Sequence, residues 1–102
     1  MKLADIDRIL TSLEGVRPNS KGGETEWRFH GRVVARQLDE SHIVIRADFD
    51  YRDAILGQFP DTFSVPTRFA AHMMVVADLE RGDVGAIEDA LTQAWRLQRA
   101  GR

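Results

Sequence analysis

Residues 24–48 read ETEWRFHGRVVARQLDESHIVIRAD, and this stretch decides the fold. Apolar and polar side chains alternate along it, and the alternation is interrupted at Gly31 and again at Asp39-Glu40-Ser41. Period-two alternation broken by turn formers predicts three antiparallel strands, at about 24–30, 32–38 and 42–48. One set of alternate positions holds Trp27, Phe29, Val33, Ala35, Ile43 and Ile45. The other holds Glu26, Arg28, Arg32, Arg36, His42 and Arg46, with Val34 and Val44 among them. The predicted sheet therefore has an apolar face and a charged face.

Working outward, Leu3, Ile6, Leu10 and Leu13 share one helical face ahead of Gly15, which predicts a first helix at about 3–14. Residues 15–23 concentrate Pro18, Asn19, Ser20, Gly22 and Gly23 and read as a loop. Its Lys21-Gly22-Gly23 lacks the rest of a phosphate-cradling loop. On the other side, Asp50 is the expected cap of a short helix from Tyr51 to Phe59, ended by Pro60. Two further strands are expected at Thr62 to Val65 and Met73 to Leu79. Asp83 then caps a last helix in which Val84, Ile87, Leu91 and Trp95 recur at helical spacing. The resulting expectation is an α+β domain of order α-β-β-β-α-β-β-α, spanning residues 1–102 as one unit, with a five-stranded antiparallel sheet.

Composition narrows the function classes. At 102 residues the chain supports one core without staples. It has no cysteine, which removes thiolate nucleophiles and disulfide frameworks. The first residues mix charged with apolar side chains, unlike a signal peptide or a membrane span, so a soluble, cytoplasmic monomer is expected. Net charge is −2, so any nucleic-acid surface must be a local patch. Only Lys2 and Lys21 are lysines among the 14 basic residues; the rest are arginines, which suit bidentate phosphate contacts but also follow from a GC-rich coding genome.

No catalytic apparatus is legible. Ser12, Ser20, Ser41 and Ser64 lack a nucleophile-elbow setting, and no carboxylate pair divides into acid and base. His30, His42 and His72 show no metal-ligand spacing. Asp48, Asp50 and Asp53 begin like a calcium loop, but Arg52 and Phe59 stand where ligands belong. The reading is of a non-enzyme with neither cofactor nor metal. The candidate nucleic-acid-binding residues are Arg28, Arg32, Arg36 and Arg46 on the charged strand face, extended by Arg68 and His72. Against them stand Glu24, Glu26, Asp39, Glu40 and Asp48, acids on the same strands and turns that cross-strand pairing sets against the arginines. Trp27 and Trp95 are assigned to the core. Met73, Met74 and Phe69 fit either strand packing or an apolar pocket.

Particular residues in this order resemble the MmcQ/YjbR family of small bacterial proteins. They are Glu26-Trp27-Arg28-Phe29 ahead of Gly31-Arg32, the runs Val33 to Arg36 and Ile43 to Arg46, Thr62-Phe63-Ser64-Val65-Pro66-Thr67, and Leu91-Thr92-Gln93-Ala94-Trp95-Arg96-Leu97. The resemblance implies a CyaY-like fold with the N- and C-terminal helices on one face of the sheet, and weak binding to double-stranded DNA through a double wing of hairpins. Arg68 to Met73 departs from the family, which usually carries a glycine and a tryptophan there. The antibiotic biosynthesis cluster behind part of the family name implies an alternative, a small apolar or aromatic ligand. A protein interaction module is the third class.

Overall fold

A computed structural model of the chain describes residues 1–20 and 22–101. It is α+β, with three α-helices and one antiparallel sheet of six strands. The elements are α1 (Leu3–Thr11), β1 (Val16–Asn19), β2 (Glu26–Phe29), β3 (Arg32–Gln37), β4 (His42–Arg46), α2 (Phe49–Gln58), β5 (Phe63–Ser64), a single 3-10 turn (Thr67–Phe69), β6 (Met74–Asp78) and α3 (Val84–Ala100). In space the strands run β1-β2-β3-β4-β6-β5.

The sixth strand is a correction to the expected five. β1 lies in the stretch taken for a loop, and its Pro18 explains both the misreading and the position. Proline cannot donate to a ladder and is confined to sheet edges, and β1 is an edge strand paired only with β2, with Pro18 opposite Trp27. Lys21 lies outside the described residues, so the Lys21-Gly22-Gly23 motif does too.

β2 and β3 are joined by two residues, His30 and Gly31, both at positive φ (47° and 85°). That geometry matches the twist of a hairpin, and glycine at the second position adopts it without strain. Within this hairpin Trp27 pairs with Ala35 but Arg28 pairs with Val33, so Val34 is an extra, unpaired residue. This β-bulge turns Val34 into the core, where it is fully buried, and sends Val33 to the opposite side. The strict alternation expected for residues 32–34 is corrected accordingly.

All three helices pack on one face of the sheet around one cluster. Ile6 and Leu10 come from α1, Ile55 from α2, and Ala86, Ile87, Ala90, Leu91 and Ala94 from α3. They meet Trp27, Ala35, Ile43, Ile45, Val75, Ala77 and Phe63 of the sheet. The alanines every fourth residue on α3 let that helix approach the strands closely. Trp27 is buried, as assigned, and its Nε1 donates to Asp7 Oδ1 at 2.9 Å. Trp95 is only half-buried; its Nε1 donates to the Glu14 carbonyl at 2.8 Å.

Helix ends follow capping chemistry. Asp83 Oδ1 accepts from the Ala86 N–H at 2.8 Å at the start of α3. At α2 the cap is Asp48, which accepts from the Tyr51 N–H at 2.9 Å, and Asp50 falls inside the first turn. Among the described residues no helix is long and apolar enough to cross a membrane.

Candidate nucleic-acid interface

The face of the sheet turned away from the helices is left mostly open. Strand register sets its rows. Glu26, Arg36, Val44 and Val76 lie side by side across β2, β3, β4 and β6, and Arg46 pairs with Met74 in the row beside them. At the β5–β6 end the 3-10 turn folds over this face and lays Phe69 on Val44 and Val76, with Leu38, Val65 and Met74 around them. Phe69 and Met74, which the sequence offers for strand packing or an apolar pocket, both belong to this second cluster, whereas the turn that brings Phe69 there lies in residues 66–72, which carry no periodicity.

The turn is held from outside the sheet. Arg52, on α2, donates from Nη1 to the His72 carbonyl at 2.8 Å and from Nη2 to the Ala70 carbonyl at 3.2 Å, with its guanidinium 4.8 Å from the Phe49 ring centroid. Nothing in the sequence pattern marks Arg52 as a staple, since an arginine inside a short helix normally faces solvent.

The candidate arginines sort into three groups. Arg28 is consumed locally: its Nε donates to Glu26 Oε1 at 2.7 Å and its Nη1 to the Gly31 carbonyl at 2.7 Å. Arg32 is not on the open face at all. Its Nη1 donates to the Gln98 carbonyl at 2.7 Å, in the last turn of α3, and the Gln98 side chain returns a hydrogen bond to the Val33 carbonyl. A cation there satisfies an orphan carbonyl and complements the negative helix end. The bulge at Val34 is the reason, because it reverses the sidedness of residues 32 and 33 relative to Arg36.

Arg36, Arg46 and Arg68 form the third group. Arg36 and Arg68 flank Phe69, at 5.7 and 4.8 Å from its ring centroid. Arg36 and Arg46 occupy diagonal positions on neighbouring strands and line a hollow of about 220 Å³ with Glu26, Val33, Val44 and Met74. Among the described residues none of the three has a carboxylate within ion-pair distance. Arg46 Nε is shielded from solvent and has no acceptor there either.

Three of the acids that stood against these arginines have other partners. Glu26 holds Arg28, and Asp48 caps α2. Asp39 accepts from the Ser41 N–H at 2.9 Å and sits 2.9 Å from His42 Nδ1, whose Nε2 is 3.8 Å from Asp78. The Ser41 N–H bond, followed by the one to His42, holds the Asp39 carboxyl below its usual range. The backbone N–H of Arg81, then that of Glu80, does the same for Asp78. Local bonds thus tie Asp39 and Asp78 to turns, and Arg36, Arg46 and Arg68 have no ion pair among the described residues.

His72 is exposed at the end of the stapled turn, on the connection that carries Arg68. His30 stands edge-on to Phe29, with centroids 4.3 Å apart, at the tip of the β2–β3 hairpin. No group of three His, Asp or Glu side chains among the described residues is arranged to hold a metal ion. On the helix side, α2 and α3 leave a groove of about 370 Å³ lined by Tyr51, Ile55, Phe59, Asp89, Thr92 and Arg96, among others. Burial, with Asp89 nearby, pushes the Tyr51 hydroxyl up from its ordinary value. No family model, curated protein or solved structure matches the chain.

Proposed function

We propose that the open sheet face binds the phosphate backbone of nucleic acid, weakly and without catalysis. The observation that carries this reading is the trio Arg36, Arg46 and Arg68, three guanidiniums around one apolar patch with no carboxylate within ion-pair distance among the described residues. Arginine forks match phosphate oxygens, and such contacts position a strand without reading its sequence. The resemblance to MmcQ/YjbR proteins supports the same reading, together with a CyaY-like description of the fold and a cytoplasmic setting. The groove between α2 and α3 is the place for the small-ligand alternative.

The test is a titration of labelled duplex DNA by fluorescence anisotropy at several salt concentrations. Three phosphate contacts give log K against log salt a slope of roughly −3 on duplex DNA. Arg36→Ala and Arg46→Ala each bring the slope about one unit nearer zero, while Arg32→Ala, on the helix side, leaves it unchanged. Absence of binding at the lowest salt, or binding indifferent to both sheet-face substitutions, overturns the proposal.

A further inference from the structure

We infer that the hollow between Arg36 and Arg46 takes one unpaired nucleobase, so that the preferred ligand of this face is a single strand and duplex binding is its weaker mode. The inference rests on the phosphate-binding reading and concerns what lies between the phosphate contacts.

Three features of the hollow carry it. Its walls include Val33, Val44 and Met74, apolar side chains that a rib of phosphates would leave unfilled but the face of a base would cover. Its rim holds two guanidiniums. Arginine planes stack on bases, and Arg36 and Arg68 stand 5.7 and 4.8 Å from the Phe69 ring centroid, within cation–π reach. Its edge holds the Glu26 carboxylate, which repels phosphate but accepts hydrogen bonds from the exocyclic amino groups of adenine and cytosine.

Shape points the same way. The face is the floor of a sheet, and the 3-10 turn that lies over it among the described residues, Thr67–Phe69, is too short to enter a groove of the duplex. An open sheet with a basic border is a platform on which an unpaired strand lies with its bases turned inward. At about 220 Å³ the hollow suits one planar group and is smaller than a site for a drug-sized ligand.

The experiment compares a 15-nucleotide single strand with the duplex of the same sequence at one salt concentration. DNA and RNA strands run side by side identify the preferred sugar. The strand is expected to bind about tenfold more tightly than the duplex, the gain of one stacked base. Val33→Phe, which fills the hollow, brings the two affinities together by weakening the single strand more than the duplex. Glu26→Gln, a replacement at a half-buried strand position, reduces the preference for oligo-dA or oligo-dC over oligo-dT if Val33→Phe proves unstable. Duplex binding equal to or tighter than strand binding overturns this inference and leaves the phosphate reading standing. No binding of either form overturns both.

Discussion

Replacing Arg52 with methionine keeps the apolar stem and removes the fork that holds the turn carrying Phe69 and Arg68. The side chain is 11% exposed and bonds two carbonyls, those of Ala70 and His72. Hydrogen bonds from a charged donor contribute roughly 1.5–3 kcal/mol each. Both accepting residues are exposed, so water takes the place of the lost donor and the lower value applies, about 3 kcal/mol for the pair. Removing Arg52 also removes a shielded Nε that has no acceptor among the described residues, a relief of about 1 kcal/mol. The net loss is about 2 kcal/mol, and in a chain of this length it lowers Tm by roughly 8–16 °C. Calorimetry gives the Tm, and hydrogen exchange locates the loss. The Phe69, Ala70 and His72 amides, which bond to Pro66, Thr67 and Phe69 within the turn, exchange faster in the variant. A Tm within about 2 °C of the parent, or a fall with unchanged exchange at those amides, refutes the staple.

Two further outcomes follow from local geometry. A Cβ on Gly82 would press against the Asp78 carbonyl and lie 2.9 Å from Ile87 Cδ1, so Gly82→Ala should lower the urea midpoint by an amount worth about 1–3 kcal/mol of overpacking; an unchanged midpoint refutes the close approach. Acid stability should follow Asp39 and Asp78, whose carboxyls are held below the usual 3.8. A depressed folded value contributes stability above the unfolded value and loses it as pH falls through the folded one, so Tm should hold down to about pH 4 and drop below it. The Asp39→Asn, Asp78→Asn double variant should flatten that drop, and an identical acid limb in the two proteins would count against the assignment.

The parts of the fold legible in the sequence were those where one local rule acts alone. α3 shows an aspartate cap and apolar residues at helical spacing, and both are realised at Asp83 and at Ile87 and Leu91. β4 alternates without interruption, and Ile43, Val44, Ile45 and Arg46 fall on their expected sides. Where two rules compete, the reading failed. Pro18 and Asn19 are turn formers by propensity, yet pairing with β2 along an edge makes them strand. Asp50 is a good cap by residue type, yet the helix starts two residues earlier and Asp48 takes the role. The candidate site divides in the same way. Arg36 and Arg46 follow from period two, Arg32 is misplaced because a bulge leaves no mark in a Val-Val pair, and Arg52 acts through carbonyls that only tertiary structure brings to it.

The unpaired Val34 also makes β3 tolerant to the loss of one residue at the bulge. With Val34 present, Arg32 faces the helices, Val33 the open side and Ala35 the helices. Excising Val34 leaves those three assignments as they are, because two consecutive residues now share a side and the loss of one restores simple alternation. Because positions 33 and 34 are both valine, excising either one gives the same chain, with Arg32 still turned toward α3. Loss of one codon from this valine pair therefore removes the bulge and leaves the sidedness of β3 unchanged, whichever of the two is lost.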